Sequence, residues 1–380
     1  MQRLFLFIAI LIFSACNQYE ESRQARIERA REGTGDIVVG IVGQKGDFLK
    51  GVDFAIEEVN SSGGLLGGRK LIKIFYDDER KPKKAQLYAN KFAKNPNVIA
   101  VIGHMTSSTA IPASITYENH GILYITPGAT NPNLTNHNFK YVFRSIPSDK
   151  IIGIAISDFL AKQKVKKAVI LYKRSLYGKR LADIIYESSD KKGIKIVALK
   201  SYFANERNFT PILDTISSLE YDMVIIAGGM PDAGYIIKQA RLMGIKAPFI
   251  GGDGLDNPFL WKVAGKAAQG TFVTAVYNPH RKSAKLNKFK KVFAIKYKHL
   301  PDTWAAQGYD AVNLLVEAIR LRQVTEPLKL ANYLRYLRNW EGVTGIYNFK
   351  KNGDVEGREV AIKKMDKGTF IFVNNRASSD

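Results

Sequence analysis

The sequence predicts an α/β protein built on parallel sheets, and three observations carry that prediction. Short β-branched runs alternate with helix-type patterns along most of the chain. Twice, in Val101–Thr109 and Ile122–Pro132, an apolar run ends in a cluster of glycine and hydroxylated residues. After Phe143-Arg144-Ser145-Ile146-Pro147 the same alternation begins afresh, so a second lobe of the same kind is expected.

In order, the first strand is the run Ile37-Val38-Val39-Gly40-Ile41-Val42. Beyond Gly43–Gly46, Asp47 can cap a helix in which Val52, Ala55, Ile56 and Val59 recur at helical spacing. Ser61-Ser62-Gly63-Gly64 stops it. The text from Gly63 to Lys70 is glycine-rich but lacks the Lys-Ser/Thr pair that grips phosphate and metal, so it is not read as a nucleotide loop. Leu71–Tyr76 is the next strand, closed by Asp77-Asp78, and Pro82 opens a helix with Ala85, Tyr88, Ala89 and Phe92 on one face. With the strands before Gly103 and Pro127, the order β-α-β-α-β-α-β implies a parallel, three-layer sheet.

The second lobe repeats the scheme. Ile151–Ala161 reads as helix, Ala168–Tyr172 as strand, Gly178–Lys192 as helix and Ile194–Leu199 as strand. Thr210-Pro211 starts a helix before strand Met223–Ala227, and Pro231 opens another before strand Phe249–Gly251. Thr271–Val276 is a further strand, followed by helical patterns over Ala284–His299, Ala305–Arg322 and Pro327–Asn339. Those three helices need a sheet to cover, and the first lobe has a flank to spare. The chain must then cross between lobes more than once.

The two hydroxyl-rich clusters carry the candidate chemistry. In a parallel sheet, ligands bind outside the carboxyl ends of the strands. Hydroxyls and the unpaired N–H groups of a helix start can together hold a carboxylate or phosphate without an arginine. For any one of Ser107, Ser108 or Thr130 the plainer reading is a helix or turn cap. Two such clusters about twenty residues apart, each closing a strand, favour a binding site.

Length allows two or three ordinary domains in 380 residues. Arg3 and the apolar run Leu4–Phe13 read as a signal segment, too short to span a bilayer, ending in Ser14-Ala15-Cys16. Cys16 is the sole cysteine, so no disulfide and no cysteine-based metal or nucleophile chemistry is expected. Residues 16–35 are polar and read as a tether. The net charge is +22, and removal of residues 1–15 takes away one cation and no acid. The lysines are scattered over helical patterns rather than gathered in a nucleic-acid footprint, so solvated faces near an anionic membrane are the preferred account. No nucleic-acid partner, metal or cofactor is expected.

Ser14-Ala15-Cys16 resembles the lipobox of bacterial lipoproteins, with Phe13 where leucine is usual. Gly103-His104-Met105-Thr106-Ser107-Ser108 with Pro112-Ala113-Ser114, and Thr126-Pro127-Gly128-Ala129-Thr130-Asn131-Pro132 with Leu134-Thr135, closely resemble the Leu/Ile/Val-binding proteins. Those are the substrate-binding subunits of branched-chain amino-acid ABC transporters, of the type I periplasmic binding protein class. The resemblance continues through Tyr177-Gly178, Gln239-Ala240-Arg241, Gly251-Gly252-Asp253-Gly254 and Gly342-Val343-Thr344-Gly345, and covers Ile37 to about Arg358.

It implies two Rossmann-like three-layer lobes joined by three hinge strands and closing on a ligand, a motion characteristic of periplasmic binding proteins. The implied division is residues 36–148 and 279–348 for the first lobe and 149–278 and 349–380 for the second, with crossings near Ser148, Asn278 and Phe349. Carried onto this sequence, Ser107, Ala129 and Thr130 would hold a ligand carboxylate, with Ser108 beside them. Phe48 would lie against the ligand, Tyr177 and Asp149 would close from the second lobe, and Asp253 would meet the ammonium. Met230 stands where the family has a tyrosine, and Asp253 where glutamate is common, which leaves side-chain preference open.

The function so implied is a lipid-anchored extracytoplasmic binder that delivers a branched-chain or aliphatic amino acid to an ABC permease. Its anchor would be the lipid on Cys16, in the cell membrane or the periplasmic face of an outer membrane. The alternative keeps the fold but makes it a sensor, or a binder of amides, urea or aromatic acids. An enzyme is disfavoured: no Gly-x-Ser-x-Gly, His-Glu-x-x-His or strand-linked Gly-x-Gly-x-x-Gly occurs, and His104 beside Ser107 does not make an oriented triad.

Overall fold

The computed structural model describes residues 19–373, so the signal segment and Cys16 lie outside the described residues. The first finding is a correction. Residues 19–32, read from their polarity as part of a tether, form a helix (α1). Its Arg26 is buried, with Nε donating to the Val98 carbonyl at 2.8 Å and the two Nη atoms to the carbonyls of His120 (2.9 Å), Ala93 (3.1 Å) and Asn95 (3.0 Å). Carbonyls at a helix end lack intrahelical partners, and one guanidinium satisfies several of them at once. Burial lowers the Arg26 pKa to about 10. The helix is held by this polar anchor rather than by an apolar stripe, and for that reason its sequence reads as a tether.

In chain order, β1 (Ile37–Val42) leads to α2 (Asp47–Ser61), then β2 (Leu71–Tyr76), α3 (Pro82–Ala93), β3 (Val98–Gly103), α4 (Ser107–Asn119), β4 (Leu123–Thr126) and β5 (Val142–Arg144). The second series is α5 (Asp149–Lys162), β6 (Lys167–Lys173), α6 (Leu176–Asp190), β7 (Lys195–Tyr202), α7 (Thr210–Ser217), β8 (Met223–Ala227), α8 (Asp232–Leu242), β9 (Phe249–Gly251), α9 (Phe259–Ala264) and β10 (Phe272–Ala275). It is followed by α10 (Ala284–Tyr297), α11 (Thr303–Arg322), α12 (Pro327–Arg335), β11 (Trp340–Glu341), β12 (Ile346–Phe349), β13 (Val355–Glu356), β14 (Ala361–Asp366) and β15 (Thr369–Phe372).

Two parallel sheets organise these elements. One has the order β2-β1-β3-β4-β5; in the other, β7-β6-β8-β9-β10 repeats the same winding, with the antiparallel pair β14 and β15 added beside β10. In each, strand order reverses beside the first strand, at β1/β3 and at β6/β8. Such a switch point opens a crevice at the carboxyl ends of the strands. β3 and β8 are buried along their whole length, as expected of central strands covered on both faces. A small antiparallel sheet, β11-β12-β13, completes the set.

The described residues divide into two compact units. The first runs to Ala129 and adds Asn133–Ile146 and Ser283–Gly357; the second holds Thr130–Pro132, Pro147–Lys282 and the described residues from Arg358 on. The sequence places crossings near Ser148, Asn278 and Phe349; the units change at Ile146/Pro147, Lys282/Ser283 and Gly357/Arg358. The last differs because β13 pairs with β12 and the Gly353 carbonyl accepts from Arg144 N–H at 2.9 Å, which keeps residues 350–357 with the first unit.

Within the first unit α11 covers α2. Gly51 lies so close to the Ala305 carbonyl that any Cβ there would collide with it. The rings of Phe54 and Tyr309 stack at 5.5 Å, with Phe289 and Phe293 beside them. The motif Gly342-Val343-Thr344-Gly345 also finds its reason here. Asp310 of α11 accepts the N–H groups of Val343 and Thr344, each at 2.8 Å, and the hydroxyls of Thr344 (2.6 Å) and Tyr347 (3.1 Å).

Candidate functional site

In the first unit the strand ends at the switch point are shaped by the turn after β3. Gly103 has φ +137° and His104 φ +50°, both in the left-handed region, and a Cβ at Gly103 would strike the Val42 carbonyl. The turn is clamped on every side: His104 N–H donates to Val42 O at 2.8 Å, Tyr124 OH to Gly103 O at 3.0 Å, and Thr126 Oγ1 to His104 O at 3.1 Å. The His104 ring is fully buried, with Nδ1 2.9 Å from Asp78 Oδ2 and Nε2 2.8 Å from the Tyr117 hydroxyl. Burial pushes the Tyr117 and Tyr124 hydroxyls well above their ordinary pKa. This Asp78–His104–Tyr117 chain is a second thing that sequence reasoning missed. Its one signal was a histidine directly after a strand-ending glycine.

The turn delivers the chain into α4 with Thr106 at the cap position, and no side chain caps the helix start. Ser107 is therefore the first helical residue rather than the cap; it is buried, and Ser108 is partly so. After β4, Thr126 Oγ1 receives the Ala129 N–H at 3.1 Å and the Gly128 N–H at 3.4 Å. Ala129 is buried and its N–H is thus already held by Thr126. Phe48, the second residue of α2, is buried with its ring against Gly43 and Gly308.

Thr130, assigned by sequence to the first lobe, belongs with the second unit. Its carbonyl accepts the Asp149 N–H at 2.8 Å, and Asn131 Nδ2 donates to the Leu176 carbonyl at 2.6 Å. The Thr130 Oγ1 is buried and has no hydrogen-bond partner among the described residues. Asp149 is the first residue of α5 and is fully buried.

In the same unit Tyr177 and Asp253 come together. Tyr177 is the second residue of α6, whose cap Ser175 accepts the Gly178 N–H at 3.0 Å. Its hydroxyl donates to Asp253 Oδ1 at 2.9 Å and accepts the Gly254 N–H at 3.4 Å. Asp253 follows β9 in a short 3-10 turn and is only 3% exposed. Burial raises its pKa to about 6, against the opposing hydrogen bond from Tyr177 and the added push of nearby Asp256. Tyr177 in turn is raised well above its ordinary value by burial and by the charges of Asp253 and Asp149. Met230 is different. It is buried in the apolar cluster with Ala233, Leu255 and Leu260, so it packs the core behind this region.

Two of the anticipated residues, Tyr177 and Asp253, are thus in direct contact, and Thr130 and Asp149 are joined through a backbone bond. Among the described residues no group of three or more His, Cys, Asp or Glu is placed to hold a metal ion, and no helix is long and apolar enough to cross a membrane.

A model of the periplasmic binding protein family matches residues 41–369. The chain belongs to that family. Among its relatives, the leucine-, isoleucine-, valine-, threonine- and alanine-binding protein of Pseudomonas aeruginosa is 30% identical over 372 residues, covering 97% of this chain and 96% of that protein. The Leu/Ile/Val-binding protein of Escherichia coli is 31% identical over 353 residues, 92% of this chain and 95% of its own length. Among solved structures, an ABC transporter substrate-binding protein from Desulfitobacterium hafniense, in complex with Leu, superposes with a TM-score of 0.79 at 34% identity, over 89% of this chain and 100% of the other. The family's fold, two parallel α/β lobes, is the architecture described above.

Proposed function

We propose that this chain is an extracytoplasmic solute-binding protein that captures a branched-chain or aliphatic α-amino acid and delivers it to an ABC permease. The observation that carries the amino-acid reading is Asp253, a carboxylate buried at a strand end with the Tyr177 hydroxyl and two backbone N–H groups as donors, no ion-pair partner among the described residues, and a pKa raised to about 6. A buried carboxylate without a cation is costly, and a ligand ammonium supplies the missing partner. The names of the P. aeruginosa and E. coli relatives, and the leucine in the D. hafniense structure, point to the same ligand class.

In this reading Tyr177 orients Asp253, Thr130 Oγ1 takes up a ligand polar group, and Asp149 adds negative potential to the same unit. Ser107, Ser108 and Ala129 keep the carboxylate-binding role that the resemblance implies, and Phe48 its apolar contact. Met230 acts through packing. The role is capture and release, without chemical turnover.

The test is calorimetry with leucine and with its 2-oxo analogue, which lacks the ammonium. Leucine should bind at least tenfold tighter, about 1.4 kcal/mol. Equal binding would overturn the amino-acid reading and favour a binder of acids or amides. We further propose that Cys16 is acylated after removal of residues 1–15. α1 is already formed at residue 19, three residues beyond Cys16, so the anchor would hold the first unit close to the lipid surface. Cys16→Ala should then leave the protein soluble after membrane fractionation, and a variant that still sediments with membranes would contradict the anchor.

A further inference from the structure

At the amino ends of β6, β8, β9 and β10, the second unit has a concavity of about 520 Å³. Residues just before or at the start of each of those strands line it, including Val165, Met223, Pro248 and Phe272. Tyr177 and Asp253 follow the carboxyl ends of the same sheet, so this is a different place from the candidate amino-acid site. The volume is that of an ordinary small-molecule pocket.

Its charge is lopsided. Lys164, Arg241, Lys246 and Lys364 line it against a single carboxylate, Asp222. That carboxylate is already engaged, with Oδ2 accepting the N–H groups of Lys166 at 2.7 Å and Lys167 at 2.9 Å. None of the four cations forms an ion pair among the described residues. Arg241 is held in place by its neighbours: Nη1 donates to the carbonyls of Ile245 (2.5 Å) and Ala247 (2.9 Å), and its guanidinium lies 4.6 Å from the Phe249 ring centroid. Lys364 Nζ stands 5.7 Å from the centroid of Phe272. Gln163 adds a neutral amide to the lining.

The helix dipole accounts for part of this. α5 ends at Lys162 and α8 at Leu242, and cations near helix carboxyl ends are favourable. It does not account for Lys364, which comes from a strand, or for the convergence of four cations on one concavity. Like charges brought together without counter-ions repel, and a multiply charged anion relieves that repulsion. We propose that this concavity is a second binding site, for a phosphate group carried either by a small soluble molecule or by a lipid headgroup. A phosphate of about two negative charges has the acceptor oxygens to engage several of these donors through charge-assisted bonds.

The experiment is calorimetric titration of the purified chain with pyrophosphate at low ionic strength, beside sedimentation with vesicles of phosphatidylcholine with and without phosphatidic acid, whose phosphomonoester carries more than one charge. Saturable binding of pyrophosphate, or of vesicles containing phosphatidic acid but not of phosphatidylcholine alone, is expected. The double variant Lys246→Gln/Lys364→Gln should lose at least tenfold in affinity with its thermal unfolding unchanged. A control double variant, Lys350→Gln/Lys351→Gln in the first unit, should bind as wild type. Pyrophosphate binding assigns a soluble ligand, and binding to vesicles alone assigns a headgroup. The proposal fails if neither probe binds, if the two double variants lose binding equally, or if the pocket variant only lowers the melting temperature. The last outcome would leave these cations as partners of helix ends.

Discussion

The two units wind their strands in the same order yet finish their strand ends differently. At the end of β3 and beneath the Gly342–Gly345 motif of the first, polarity is closed within the protein: both His104 ring nitrogens have partners, Thr126 holds the Ala129 N–H, and Asp310 accepts four hydrogen bonds, while the buried Gln307 amide elsewhere in that unit lacks a partner among the described residues. In the second, a buried carboxylate has its pKa pushed up to about 6 and a buried threonine hydroxyl is without a partner among the described residues. The same strand winding thus ends in a clamped turn in one unit, and in the other in a carboxylate without a cation and a hydroxyl without a partner among the described residues. Internal partners stabilise the folded chain, whereas unmatched polarity costs stability until a ligand completes it. Substitutions in the first unit's clamped turn should therefore act on stability before affinity, and those at Thr130 and Asp253 on affinity before stability.

The largest effect should come from Asp78→Ala, which leaves the fully buried His104 ring short of a partner. A loss of about 3 kcal/mol in denaturant unfolding is expected, the upper end of the cost of leaving a buried polar group without its hydrogen bond. Affinity measured on the folded fraction should fall much less. If instead affinity collapses while stability holds, the comparison is broken. Next is Thr130→Val, which removes an unpartnered buried hydroxyl. Binding should weaken by about 1–3 kcal/mol while the ligand-free chain becomes no less stable, because no internal hydrogen bond is lost. Calorimetry with unchanged affinity would remove Thr130 from the site. The smallest effect belongs to Met230→Leu, a near volume-conserving change within the core cluster of Ala233, Leu255 and Leu260. It should cost less than about 1.5 kcal/mol in stability and leave affinity alone. A change in ligand preference would return Met230 to the site.

What could be read from the sequence were the features that sequence itself encodes locally. β-branched runs such as Ile37–Val42 became strands, and Val52, Ala55, Ile56 and Val59 became the buried face of α2. What escaped depends on partners far away along the chain. Arg26 is bound by carbonyls 66 to 94 residues distant, so the polar text around it disguised a docked helix. Asp310 meets its partners 33 to 37 residues on, and nothing near it marks it as the acceptor of a glycine-flanked motif. β14 sets Lys363 and Lys364 side by side and so lacks a clean alternation, and only pairing beside β10 gives it and β15 a place. At the site, Tyr177 and Asp253 were anticipated singly through the family resemblance. Their hydrogen bond, and the core position of Met230, depend on how α6, β9 and α8 pack and are not written locally.

The central claim, that the second unit carries polarity awaiting a ligand, is tested most directly by the protons exchanged when leucine binds. The native Asp253 pKa of about 6 lies above the ordinary aspartate value, so the ligand-free protein holds an extra proton between about pH 4 and pH 6. This group's penalty on stability is absent below about pH 4 and fully present above about pH 6, so its effect is to reduce stability as pH rises through that window. An ammonium beside the carboxylate must drive that proton off. Calorimetry at pH 5.5 in two buffers of different ionisation enthalpy should show net proton release on leucine binding, and affinity that weakens as pH falls below about 6. Asp253→Asn should abolish both signals and stabilise the ligand-free chain above pH 6. Leucine binding with no proton release and no pH dependence in the wild type would contradict the account.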